Sequence, residues 1–447
     1  MTKRNAPGRL PEQPASDLAG PNALQGPEEP VGTRRHHPIR HAISSKGYFN
    51  RLGPGIVTGA ADDDPSGIGT YSQAGAAAGY GLLWSAPWLL PLAFATQEAC
   101  ARLALVTGQG LAAIIKARMP RWVLVLAVLL VASANTVNIA ADLASMAAAL
   151  RLIVPIDQVV GVVAFALLIA AAEILVPYHR YARYLRWLCL SLLAYVAVLF
   201  VAEVDWAKVQ SATFAPQIDF SKTTFELLIA LAGTTISPYL FFWQAAEEVE
   251  ESDGIVDHGH IRAMRGDVFS GMLTGVFIMF AIMATTAATL HAQGILTINS
   301  AEDAATALTP IAGKFAGLLF LLGILGVGLL SIPVLAGSTA YAVAETFGWR
   351  ESLELKPLQA RAFYAVIIAS MGLALLLNLM GIPPMYFLFL AALLNGLSAP
   401  ILMVIVWLLA RDKKILGKWI SPIWSQILLA VATLAMFSLP VFWFIAK

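Results

Sequence analysis

Apolar positions in this chain gather into long runs, with short polar stretches between them. Runs of spanning length lie at about 49–80, 82–107, 121–150, 156–177, 184–203, 223–250, 268–291, 311–345, 360–380, 383–410 and 421–446. Each is near or above the roughly 20 residues an α-helix needs to cross a bilayer. The pattern predicts an all-α integral membrane protein with eleven transmembrane helices.

Two runs are interrupted by residues that a crossing helix avoids. The first holds Asp62-Asp63-Asp64-Pro65-Ser66-Gly67. Pro65 has no amide hydrogen and clashes with the preceding turn, so the helix must break there. The sixth run holds Leu231-Ala232-Gly233-Thr234-Thr235-Ile236-Ser237-Pro238-Tyr239-Leu240. Non-helical backbone at membrane depth is tolerated only where it lines a cavity or is buried in protein. The two broken runs are five apart. That spacing fits two inverted repeats, helices 1–5 within 46–203 and helices 6–10 within 223–410, with an added helix 11 at 421–447. Interrupted segments at matching positions of two repeats point to a transporter's central site.

Charge orients the bundle. Residues 1–45 are polar and rich in proline and glycine, which predicts a disordered tail and no secretory signal. It ends in Arg34, Arg35 and Arg40, which favour a cytoplasmic amino terminus. The loops on that side hold Lys116, Arg118 and Arg121, then Arg180, Arg183 and Arg186, then Arg262 and Arg265, then Arg350, Lys356 and Arg361, then Arg411, Lys413, Lys414 and Lys418. The opposite loops hold only Arg151, Lys208 and Lys222. The expected location is the inner (plasma) membrane, multi-pass.

Composition agrees. The chain is 58% hydrophobic and 13% charged, against about 25% charged for soluble domains. A net charge of +1 gives no reason to expect a nucleic-acid partner. The two cysteines, Cys100 and Cys189, lie in apolar runs and read as core residues. No nucleophile–base motif, phosphate loop or cofactor signature appears, so an enzyme is not expected and no cofactor is expected.

The breaks carry the chemistry. A carboxylate inside a membrane is costly and marks function. Asp64, next to the proline, is the best-placed cation ligand. Ser66, Gly67, Thr234 and Ser237 complete the expected metal set, with Thr235 close by. Every donor is an oxygen, which suits Mg²⁺, Ca²⁺ or Mn²⁺ over thiophilic metals. Asp62 and Asp63 either line a vestibule, tune the field, or form a solvated helix end. Asp142, with Asn138 and Asn135 one and two turns earlier, forms a polar stripe that lines a path or bonds neighbouring helices. Gln244, Glu247 and Glu248 either attract cations at an exit or form a solvated helix end. Asn395 is a weaker path candidate.

Longer stretches resemble a known family. Gly53-Pro54-Gly55-Ile56-Val57 followed by Asp64-Pro65-Ser66-Gly67 is similar to the first helix of Nramp divalent-metal transporters, whose motif there is Asp-Pro-Gly-Asn. Ala101–Gly108 resembles that family's second-helix ending, Ala141-Asp142-Leu143-Ala144 its third-helix aspartate motif, and Leu394–Pro400 with Arg411–Lys414 its tenth helix. The resemblance, over about 48–446, implies a LeuT-type fold, transport of a divalent cation, Asp64 as ligand and Asp142 as a proton-path residue.

The departures sharpen that expectation. The family's Asn is Gly67 here, its Met-Pro-His is Ser237-Pro238-Tyr239, and its second third-helix acid is Ser145. This pattern resembles the Nramp-related magnesium transporters. It implies Mg²⁺ as substrate, with Mn²⁺ also carried, by alternating access with weak or no proton coupling. Proton-coupled Mn²⁺ transport, or carriage of a different small solute on the same fold, are the alternatives. The expected partners are the metal ion and the lipid bilayer, with protons left open.

Overall fold

The computed structural model describes residue 59 and residues 62–176, 190–215, 219–252, 254, 256–353 and 355–446. The expected tail at 1–45, the start of the first run, part of the fifth run and Cys189 lie outside them. Among the described residues every regular element is helical. Nine stretches are long and apolar enough to cross a membrane. They match nine of the eleven expected runs. The runs at 49–80 and 184–203 are cut by the limits of the described residues.

The principal helices are α1 (Pro65–Ala78), α2 (Ser85–Thr107), α3 (Arg121–Arg151), α4 (Gln158–Leu175), α5 (Lys222–Thr235), α6 (Pro238–Glu251), α7 (His258–Thr289), α8 (Ala316–Phe347), α9 (Arg361–Asn378), α10 (Pro384–Ala410) and α11 (Ile423–Ile445). Burial sorts them. In the stretch Lys222–Glu251, which joins α5 and α6, 94% of the apolar window is buried. In α4 and α9 the share is 33%, and in α11 it is 22%. The second broken run is therefore the centre of the bundle. The outer helices turn Leu167, Leu168, Leu376, Leu434 and Phe444 outwards. So much exposed apolar surface has a stable place only against lipid.

Proline acts differently at different positions. Pro91, Pro333, Pro400 and Pro440 lie inside helices that run on past them. Pro65 and Pro238 instead open new half-helices. The preceding residues explain this. Asp64 (φ −64°, ψ 171°) and Ser237 (φ −78°, ψ 135°) are extended, as a residue before proline prefers to be. Proline then takes the first helical position, where its missing amide is no loss.

Packing fixes where the breaks lie. α1 packs against α7, α10, α5 and α3. α5 crosses α10 closely. A methyl built on Gly233 would lie 2.3 Å from both the Ala392 carbonyl oxygen and the Gly396 nitrogen, so only glycine permits this crossing.

Candidate functional site

Asp64 caps α1. Its Oδ1 accepts hydrogen bonds from the Gly67 amide and the Ser66 hydroxyl, both at 2.7 Å. Such caps stabilise a helix start by about 1 kcal/mol. They also fix the carboxylate at the break. On the second break, the Ser237 hydroxyl donates to the carbonyls of Gly233 (2.9 Å) and Thr234 (2.7 Å). Both serines thus spend their protons inward. A hydroxyl that has given its proton still presents lone pairs. Each can face a cation.

The two breaks meet. The point where a Cβ of Gly67 would stand is 3.3 Å from Thr234 Oγ1 and 3.4 Å from the Asp62 carbonyl oxygen. Thr234 Oγ1 is buried and has no hydrogen-bond partner. The structure therefore brings together Asp64, Ser66, Gly67 and Thr234, with Ser237 one turn from Thr234. Gly67 leaves no open gap here, because α5 has closed onto the space that the missing side chain frees. Among the described residues no group of three His, Cys, Asp or Glu side chains is close enough to hold a metal ion. Any ion here would lean on hydroxyls, carbonyls and its own water as well as on carboxylate.

Asp142 reaches the site from α3. Its carboxyl lies near Ser66 and 3.5 Å from the Ser331 hydroxyl of α8. The rest of its stripe is structural in part. Asn135 Nδ2 donates to the Leu335 carbonyl, Ser338 and Thr339 of α8. Asn138 donates to Asn395 Oδ1 of α10 at 3.0 Å. Asn395 thus joins α3 to α10, and its own Nδ2 is buried without a partner. Tyr239 is fully buried and within electrostatic range of Asp64, Asp62 and Asp142. Asp62 and Asp63 are buried as well, which removes the solvated-helix-end reading for both.

The acids of α6 divide. Glu247 is buried and faces Tyr341 of α8. Glu248 lies 3.5 Å from Gln244 and near Asp267 of α7. Glu250 accepts a hydrogen bond from the Tyr341 hydroxyl at 2.5 Å.

The i,i+4 pairing of Glu98 with Arg102 is legible in the sequence, but Glu98 also gathers Arg265 and Ser425 from two further helices. Two more features had no sequence signal. Glu345 accepts from the Ala113 amide in the short helix Leu111–Arg118. The Met279 thioether lies 3.6 Å from the Thr235 hydroxyl, so a soft atom stands just behind the second break.

These features have known counterparts. A profile of the family described as natural resistance-associated macrophage protein-like (Nramp) matches residues 55–446. A divalent metal cation transporter MntH of Pectobacterium carotovorum is 29% identical over 310 residues, which cover 65% of this chain and 71% of that protein. The protein of the same name from Aeromonas hydrophila is 28% identical over 300 residues, 63% of this chain and 70% of its own length. A solved manganese transporter of Eremococcus coleocola superposes with a TM-score of 0.69 at 16% identity, covering 89% of this chain and 87% of that one. At that identity the likeness speaks to the fold alone. It bears out the all-α architecture expected from the apolar runs and the LeuT-type fold that the resemblance implies. The profile match runs through both breaks and nearly every described helix, and by it this chain belongs to the Nramp family.

Proposed function

We propose that the protein carries divalent cations across a membrane by alternating access, with Mg²⁺ preferred and Mn²⁺ also accepted. One observation carries the choice of ion. Around Gly67 the two breaks offer Asp64, Thr234, Ser66 and the Asp62 carbonyl, all oxygens, with Ser237 adjacent. Mg²⁺ dehydrates reluctantly and is usually held through one or two carboxylates plus retained water. A site built around a thioether would instead favour softer ions. The names of the relatives support a divalent cation as cargo.

The site is closed as it stands, so cargo enters when the half-helices part. Repeats at 46–203 and 223–410, with helix 11 at 421–447, supply the two bodies for such a movement. The loop charges support a cytoplasmic amino terminus in the inner membrane. Asp142, Tyr239 and Asn395 border the path, with Gln244, Glu247 and Glu248 at its acidic end.

A second reading, coupling to protons, draws on Asp142, whose buried carboxyl sits beside Ser66. Against it, Ser145 and Tyr239 replace titratable groups of the family. Proteoliposome uptake decides both points. Mg²⁺ flux that Asp64→Ala abolishes is the expected result. Absent Mg²⁺ flux, or undiminished flux in Asp64→Ala, overturns the proposal. Metal-driven acidification of the vesicle lumen would replace the uncoupled reading with the coupled one.

A further inference from the structure

We propose that Asp62 builds a second cation subsite, on the α7 side of the first break, which takes the same divalent ion with part of its water. The inference rests on the transport reading above and adds a station to it.

Asp62 is 1% exposed, and neither of its carboxylate oxygens has a hydrogen-bond partner. Asp63 Oδ1 is buried without a partner too. Asp64 differs, because Gly67 and Ser66 donate to it. The charged groups acting on Asp62 are Asp63 and Asp64, which repel it. An uncompensated buried carboxylate is destabilising, and a like charge beside it adds to that. Structural stabilisation does not explain why this residue is there. A cation does.

The surroundings are built to receive one. α7 presents glycine at the contact. The point where a Cβ of Gly275 would stand has two oxygens as its nearest neighbours, Asp62 Oδ2 at 3.2 Å and the Gly59 carbonyl at 3.4 Å. A carboxylate and a carbonyl thus converge on α7 at a position with no side chain, as tightly as the two breaks meet at Gly67, so an ion enters here too when the helices part. Gly59 itself lies against Gly271, where an added methyl would meet the Gly271 carbonyl oxygen at 2.3 Å. Tyr71 is buried and lies within electrostatic range of all three aspartates. Carboxylate, carbonyl and water are the donors that hard dications accept. The Asp62 backbone carbonyl faces Gly67, while its side chain faces Gly275. One residue therefore borders both stations, and an ion leaving Asp64 has a neighbouring carboxylate to move to.

The test is equilibrium binding of radioactive Mn²⁺, with Mg²⁺ as competitor, to the full chain in lipid nanodiscs. Asp64→Asn is expected to retain one bound ion. Adding Asp62→Asn to it should remove that ion. Adding Gly275→Ala instead, a single methyl at this convergence, should weaken it tenfold or more while the protein stays monodisperse. Loss of all binding in Asp64→Asn alone overturns the subsite and leaves the transport reading standing. Equal binding in Asp64→Asn with and without the second change overturns it likewise. No binding to the unaltered chain overturns both.

Discussion

Glu98 is the most heavily bonded carboxylate among the described residues, and its removal has a calculable cost. Its side chain and that of Arg102 are almost fully buried, while the Arg265 side chain is 32% exposed. Arg102 donates twice to Glu98 Oε1 and once to the Trp419 carbonyl, at 3.1 Å. Arg265 Nε donates to Oε1 at 2.9 Å and Ser425 to Oε2 at 3.1 Å. Glu98→Ala would strand the Arg102 guanidinium with one carbonyl, and breaking such a pair costs about 3–5 kcal/mol. That is roughly a 150- to 4,000-fold change in the unfolding equilibrium, at about 1.4 kcal/mol per factor of ten. Arg265→Ala removes only a partly solvated arm, worth about 1 kcal/mol. Its stacking over the Trp424 ring, 5.3 Å from the centroid, adds about 0.5–1 kcal/mol. Replacing both buried partners, Glu98→Leu with Arg102→Leu, should recover most of the loss, because two apolar groups leave no stranded charge. The assay is equilibrium unfolding in mixed micelles, followed by the fluorescence of the 11 tryptophans. A Glu98→Ala cost no larger than that of Arg265→Ala, or a double variant as unstable as the two single losses added, would refute the stranded-charge argument.

Ser237→Met should raise the Mn²⁺:Mg²⁺ flux ratio about tenfold, by placing a soft donor at the second break and removing the hydroxyl that holds Gly233 and Thr234; an unchanged ratio in liposomes would separate selectivity from this position. Gly233→Ala should destabilise by roughly 1–3 kcal/mol or more, since its methyl meets backbone atoms of α10 at 2.3 Å; the unfolding midpoint in mixed micelles would record it. Glu351, in the loop after α8, has its carboxyl pushed up to about 8 by burial and by Glu345 and Glu250 nearby. Its folded pKa lies above the ordinary value near 4.5, so the folded state binds more protons and stability falls as pH rises from about 4.5 towards 8. Glu351→Gln should flatten that part of the stability–pH curve, and an unaltered slope would show that Glu351 does not set it.

The breaks could be read in the sequence because proline leaves a chemical mark that needs no partner to be recognised. Even so, the prolines at 65, 91, 238, 333, 400 and 440 look alike in sequence. What separates Pro65 and Pro238 from Pro91, Pro333, Pro400 and Pro440 is the extended residue before each. Acidic and hydroxyl neighbours at 64 and 237 hinted at it, because their side chains can replace the helix's own bonds. The long-range pairings left no such mark. Glu98 meets Arg265 across 167 positions and Ser425 across 327, and Asn138 meets Asn395 across 257. No periodicity encodes which helix lies beside which, so a polar stripe on α3 could not be divided into bonds and path beforehand. The donors at the site were partly legible for the same reason. Their atom types are written in the side chains, but where each hydroxyl sends its proton depends on packing. Ser66 and Ser237 turn theirs towards Asp64 and the end of α5, so the oxygens left facing the junction are acceptors. A junction rich in acceptor oxygens, with a carboxylate in it and, among the described residues, no basic group acting on Asp62, is electrostatically incomplete until a cation arrives. The electrostatic reason for moving metal ions is therefore fixed by hydrogen-bond direction as much as by residue identity.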